Sequence, residues 1–169
     1  YSERGKQITV KADNKDVSSQ TKDLQVNEEK AANASASAVM SDREYFIKPD
    51  RAAELLEAIG ILAKNGKIRN DKIRKYNQID HFVELVDPML RKLCSNKKQI
   101  RIVDCGCGKS YLSFALNYYI KEVLGKNCYF TGLDYNAAVI AESARIAKQL
   151  HYNNMQFIET DIGAYEPDC

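Results

Sequence analysis

Three carboxylates and two glycines carry the chemistry that this sequence offers. Asp104, Asp134 and Asp161 each close or follow a short apolar run, namely Ile100 to Val103, Cys128 to Leu133 and Met155 to Ile158. If those runs are parallel strands, the three acids arrive at one sheet edge, where open α/β sheets bind their ligands. Two glycines follow the first acid in Val103-Asp104-Cys105-Gly106-Cys107-Gly108. Without Cβ atoms, Gly106 and Gly108 let the backbone turn tightly and approach a ligand closely. The helix expected to begin near Lys109 and Ser110 adds free backbone N–H groups, which suit an anion. A lone G-x-G after a strand also occurs as a plain tight turn, so the loop takes its meaning from the acids that end the next two strands.

The ligand class follows from what surrounds the loop. A dinucleotide fingerprint, G-x-G-x-x-G/A, needs a small residue three positions after its second glycine, where this chain has Tyr111. It also needs no acid two positions before the first glycine, where Asp104 stands and would repel a pyrophosphate. A sulfonium ligand with an α-amino group would favour that acid instead. The expected cofactor is therefore S-adenosylmethionine, seated on Asp104, Cys105, Gly106 and Gly108. Asp134 can accept both ribose hydroxyls, and Tyr135 can cover one face of the adenine. Asp161 can accept from the adenine amine, with the Ile162 N–H facing the ring nitrogen beside it. A dinucleotide-dependent oxidoreductase and a non-catalytic module that keeps the fold are the alternatives.

The elements that must position these groups follow from apolar periodicity. Strands are expected at residues 100–104, 128–133 and 155–159, separated by helices over 110–123 and 137–150. This β-α-β-α-β order predicts a Rossmann-like α/β fold with a parallel sheet. Ahead of it, residues 45–98 read as a helical extension. Asp50 is expected to cap a helix carrying Leu55, Leu56, Ile59 and Ile61, ended by Gly60 and Asn65-Gly66. A second helix is expected over 71–86, with the stripe Ile73, Tyr76, Ile79, Phe82, Val83 and Val86. Pro88 suits the first turn of a continuation bearing Met89, Leu90 and Leu93. Residues 1–44 are polar, with one short strand expected at Ile8-Thr9-Val10 and a small-residue tract at 31–38, and read as an arm or linker.

The segment Ile102-Val103-Asp104-Cys105-Gly106-Cys107-Gly108-Lys109-Ser110-Tyr111-Leu112-Ser113-Phe114-Ala115-Leu116 resembles the first motif of a class I methyltransferase family. That family includes the glutathione S-transferase C-terminal domain-containing proteins and many bacterial methyltransferases. Gly132-Leu133-Asp134-Tyr135-Asn136 matches its second strand, and Lys75 to Glu84 resembles the helix that the bacterial relatives place before the core. The likeness covers about residues 45–168 and implies a methyltransferase dependent on S-adenosylmethionine. More loosely, Lys75 and Gln78 are similar to the Lys…Gln helix of tRNA 2′-O-methyltransferases, which implies an RNA acceptor. Three residues apart, they share a helix face and could reach the methionine end of the cofactor. The plainer reading, which the sequence favours, makes them surface residues flanking the apolar stripe, and His81 reads as structural.

Composition sets outer bounds. The net charge of +2 over 169 residues does not by itself select a polyanionic partner. Cations do cluster at Lys64, Lys67, Arg69, Lys72, Arg74 and Lys75 against Asp71 alone, and again at Arg91, Lys92, Lys97, Lys98 and Arg101. No apolar run approaches the roughly 20 residues that span a bilayer. Five cysteines without paired C-x-x-C knuckles argue against zinc and a disulfide framework, and read as buried, reduced thiols in a cytoplasmic protein. The chain opens on Tyr1 and ends at Cys169, where a fourth strand is expected, so a half-domain of a longer protein is expected. The residue that acts on the acceptor would then lie beyond Cys169. The first strand would present an open edge, suited to self-association, to cover by the arm, or to the rest of the protein.

Overall fold

The computed structural model describes residues 44–166 and three strands ahead of them. The chain divides into two compact units, Tyr1–Arg43 and Glu44–Cys169. In the first, β1 (Ser2–Glu3), β2 (Lys6–Ala12) and β3 (Val17–Asp23) form an antiparallel sheet in that order, with Thr9 opposite Gln20. The strand expected at Ile8-Thr9-Val10 lies within β2, and two further strands that were not expected pair with it. Ladder bonds use backbone groups that every non-proline residue carries, so polar segments pair without an apolar signature. The tract 31–38 and residues 167–169 lie outside the described residues.

The second unit opens with a short helix, α1 (Ala53–Ala58), which Gly60 ends with φ +72. Asp50 does not cap it. The Ala52 N–H instead bonds the Lys48 carbonyl at 2.8 Å, and the turn so formed feeds the helix directly. Next, α2 (Ile73–Asn96) is one helix where two were expected, with Pro88 inside it. Tyr76, Val83 and Leu90 are buried at seven-residue spacing, and Cys94 extends the same face. An interior proline costs about 3 kcal/mol, while burying one large apolar side chain returns about 1.5–3 kcal/mol. Continuing the buried face past an exposed Pro88 therefore wins. Met89, placed on the stripe from sequence, is 57% exposed.

The α2 face holds the start of this unit in place. The Tyr76 hydroxyl donates to the Ile47 carbonyl at 2.7 Å, and the Ile47 N–H donates to the buried Asp80 carboxylate at 2.8 Å. Tyr45 stacks on Tyr76 with ring centroids 5.0 Å apart.

The sheet follows the expected order. β4 (Gln99–Cys105), β5 (Asn127–Asp134) and β6 (Met155–Glu159) are parallel neighbours, with Asp104 opposite Gly132 and Asp134 opposite Glu159. The crossovers are α3 (Tyr111–Tyr118) and α4 (Ala137–Gln149), the latter capped by Asn136, which accepts from the Ala138 N–H. The helix expected to reach Val123 changes at Tyr119 into a π turn, Tyr119–Val123, closed by the Leu124 N–H on the Tyr119 carbonyl. The Tyr119 hydroxyl donates to Asp87 and accepts from Arg91, which ties the wide turn to α2. One sheet face buries Ile100, Cys128 and Phe130, while Val103 and Tyr129 stand about half exposed on the other. Among the described strands β4 is an edge. No helix among the described residues is long and apolar enough to cross a membrane.

Candidate functional site

The glycine loop bridges β4 and α3, and its backbone is fastened to the end of β5. Gly106 N–H and Cys107 N–H both donate to the Leu133 carbonyl, at 2.8 and 2.9 Å. Gly108 N–H donates to Asp134 Oδ2 at 2.9 Å. Gly106 and Gly108 take φ +77 and +51, a region that side chains disfavour. Space around them is open. A Cβ on Gly106 would have only Ile162 Cδ1 near it, at 4.0 Å, and one on Gly108 nothing within that distance. Ser110 is also left-handed, φ 55, and its buried hydroxyl bonds Ser143 at 3.0 Å.

Beside the loop lies a cavity of about 340 Å³ whose wall includes Asp104, Gly106 and Cys107, Lys109 and Tyr111, and Lys75 and Gln78 from α2. The buried Ser113 hydroxyl donates to Asp104 Oδ2, which orients the carboxylate and leaves it lone pairs for a ligand. Lys75 Nζ donates to Gln78 Oε1 at 2.8 Å and lies 5.5 Å from the Tyr111 ring centroid. Lys75 and Gln78 are thus surface residues, as the plainer reading had them, and they also line the cavity. Burial pushes the Cys107 thiol up, the Asp104 and Asp134 carboxylates push it further, and a hydrogen bond with Ser110 opposes them. Burial therefore favours the thiol form, and the side chain forms part of the cavity wall.

The other predicted residues are placed differently. Asp134 is buried, with Oδ1 accepting from Asn136 N–H at 2.9 Å while Oδ2 holds Gly108. Each oxygen keeps a further lone pair. Tyr135, next to it, is 84% exposed. Asp161 is exposed and its Oδ1 accepts from Gly163 N–H at 2.7 Å, capping the turn Ile162–Ala164. Neither Tyr135 nor Asp161 lines the cavity with Asp104; from that side the Ile162 side chain reaches toward Gly106.

Two expectations need correction. Cys105 is exposed rather than buried, and it does not line the cavity. The side-chain alternation of a strand sends it to the opposite face from Asp104. The Ser110 N–H is not free for an anion, because it closes a turn on the Cys107 carbonyl at 2.8 Å. The first bond inside α3 joins Phe114 to Ser110, so the amides of Tyr111 and Leu112 remain at the cavity wall. His81 is exposed and faces Glu84 at 3.0 Å, outside the cavity. Sequence reasoning passed over Ser113, for which position in the first turn after the loop was the available signal. Among the described residues, no group of three or more His, Cys, Asp or Glu is placed to hold a metal ion.

A family model described as a methyltransferase domain matches residues 74–168, more than half of the chain. The chain belongs to that family. The matched segment of this methyltransferase domain runs from α2 through β6 and so includes the whole cavity. That membership supports the methyltransferase reading over the dinucleotide-dependent oxidoreductase.

Solved structures are similar to parts of the chain at low identity. The methyltransferase PaMTH1 of Podospora anserina, bound to S-adenosylhomocysteine, is 20% identical, with 83% of this chain and 53% of that one covered and a TM-score of 0.49. Coclaurine N-methyltransferase, bound to N-methylheliamine and S-adenosylhomocysteine, is 15% identical, with 85% and 40% covered and a TM-score of 0.43. A putative protein-L-isoaspartate O-methyltransferase of Plasmodium falciparum, in complex with S-adenosyl-L-homocysteine, is 19% identical, with 52% and 39% covered and a TM-score of 0.38. The chain thus spans about half the length of these proteins or less. None of the curated proteins matches the sequence.

Proposed function

We propose that the cavity between α2 and the glycine loop holds the methionine end of S-adenosylmethionine, and that the domain serves methyl transfer to an RNA acceptor. One observation carries the cofactor placement: a carboxylate, Asp104, and an ammonium, Lys75, line the same cavity as Gly106. An α-amino acid end is a zwitterion and needs both signs. Asp104, oriented by Ser113, faces its ammonium; Lys75 and the amides at the start of α3 face its carboxylate. The open space at Gly106 accommodates close approach of the ligand. Asp134 offers its remaining lone pairs to the ribose hydroxyls, Tyr135 offers a ring face to adenine, and Asp161 with the Ile162 N–H meets the adenine edge.

Bound there, the cofactor supplies an electrophilic methyl group on a sulfonium. In-line transfer from such a centre is served mainly by positioning, to which held groups contribute by removing motion before the reactants meet. The RNA reading rests on the cation cluster that leads into Lys75 and on the resemblance of the Lys…Gln helix.

Calorimetry on this chain tests the cofactor reading. S-adenosylhomocysteine should bind at a single site and a nicotinamide dinucleotide should not. Binding of the dinucleotide without S-adenosylhomocysteine would overturn it.

A further inference from the structure

A second cavity of about 340 Å³ adjoins the first. Its wall includes Ile59 and Gly60 at the end of α1, Val139 and Ile146 of α4, and Lys109 and Tyr111, the last two shared with the glycine-loop cavity. The chain leaves this wall at Gly60 and returns to the glycine-loop cavity at Lys75. Between them it forms a hairpin, closed by the antiparallel bridge of Leu62 with Ile68. Its base is rooted: Ile61 and Leu62 are buried, and the Arg69 N–H bonds the Ile61 carbonyl at 3.0 Å. Its tip is held by the Ala63 N–H on the Lys67 carbonyl and by Asn65, which accepts from the Lys67 N–H.

The charge on this segment is one-sided. Lys64, Lys67, Arg69, Lys72, Arg74 and Lys75 stand against Asp71 alone. Asp71 pairs with Arg69 and Lys72, each at 3.3 Å. Lys64, Lys67 and Arg74 are exposed, and none has an acidic partner among the described residues. These cations sit on a braced hairpin beside the site.

We propose that this hairpin and the first turn of α2 form a docking rail for the phosphates of a single-stranded RNA acceptor, leading it to the rim made by Lys75, Lys109 and Tyr111. The proposal rests on the reading of the neighbouring cavity as the methyl-donor site. Counterion release makes phosphate the partner that gains most from such a cluster. Stable membrane anchoring needs apolar side chains or a lipid beside the cations, whereas the exposed neighbours are Asn65, Gly66 and Asn70. A single strand is favoured because a base or sugar must leave any duplex to enter a cavity. The partly buried Tyr111 ring offers a stacking surface at the rim.

The test uses the chain with Lys64→Glu, Lys67→Glu and Arg74→Glu, none of which lines either cavity. Binding of a fluorescein-labelled uridine oligonucleotide, on the order of fifteen nucleotides, is read by anisotropy across a salt titration. S-adenosylhomocysteine calorimetry and a thermal melt are run on the same preparations. The variant should bind RNA at least about tenfold more weakly, with a log–log salt slope shallower by about 2. Cofactor affinity and melting should not change. If the variant melts early, Lys64→Gln, Lys67→Gln and Arg74→Gln repeat the measurement, with a loss of affinity still expected.

Equal affinity of variant and parent would overturn the rail. So would competition by polyglutamate, duplex RNA or phosphatidylserine vesicles as effective as that by the single strand. The two readings fail separately. Loss of RNA binding in the variant, with no S-adenosylhomocysteine binding by the parent, sinks the donor site and supports the rail. Cofactor binding with RNA affinity indifferent to the three substitutions does the reverse.

Discussion

The two ends of the site are built differently. At the glycine-loop end, polar groups are held by buried or backbone partners: Asp104 by Ser113, the Gly106 and Cys107 amides by Leu133, and the Gly108 amide by Asp134. At the other end, Tyr135 and Ile162 are 84% and 49% exposed, and Asp161 is held only by its own turn. The contrast assigns labour. The held end should set orientation, because groups that do not move on binding lose no entropy there. The open end should add contact without deciding geometry. Substitutions along this axis should fall steeply in effect from one end to the other.

Asp134→Ala should have the largest effect, because Asp134 belongs to both ends. It removes the acceptor for the Gly108 and Asn136 amides as well as the proposed ribose contact. Two charge-assisted bonds at a buried carboxylate, partly replaced by water, correspond to about 3 kcal/mol of stability. Affinity for S-adenosylhomocysteine should fall on the order of a hundredfold, since about 2.7 kcal/mol is lost with the loop and the ribose contact. Calorimetry and a melting curve on one preparation measure both. An unchanged affinity with a lowered Tm would leave Asp134 a brace alone.

Gly132→Ala probes the coupling of loop and sheet without touching a polar group. Gly132 lies opposite Asp104 in the ladder, and its φ is not left-handed, so only space matters. An added Cβ would stand 2.7 Å from Phe157 Cδ1 and 3.0 Å from Cys107 Sγ. Overpacking of this kind costs about 1–3 kcal/mol. Displacing Cys107 should also weaken cofactor binding, by about tenfold if 1.4 kcal/mol of that strain reaches the loop. Phe157→Leu in the same chain should recover part of both losses. No recovery would show that the crowding is felt elsewhere.

The same contrast explains what the sequence disclosed. Strand, glycine loop and helix are contiguous, so Asp104, Gly106 and Gly108 could be placed from local pattern, and Asp134 from the end of the next apolar run. The parallel order of β4, β5 and β6 followed from the alternation with helices. Lys75 and Gln78 lie far upstream of the loop, and their presence in its wall depends on how α2 packs. No local spacing encodes that. Pro88 misled for a related reason: its local preference for a helix start was overridden by a buried face extending to Cys94. Asp80 and Ser113 were invisible because a buried polar residue is defined by its partners, here Ile47 and Asp104. In the first unit, backbone pairing of Lys6–Ala12 with Val17–Asp23 left no apolar pattern to read.

The smallest effect belongs to Tyr135→Ala, and it is the sharpest check on the division between the two ends. With 84% of its surface exposed, the ring is solvated before any ligand arrives. Stacking on adenine would then return only about 0.5 kcal/mol after the ring is ordered, a two- to threefold loss of affinity on truncation. Stability should not move, because the structure shows no hydrogen bond or ring contact made by Tyr135 among the described residues. A loss rivalling that of Asp134→Ala would mean that the open end closes on the ligand and carries the geometry after all. A two- to threefold loss with an unchanged melting curve would place orientation with the residues that are held in advance.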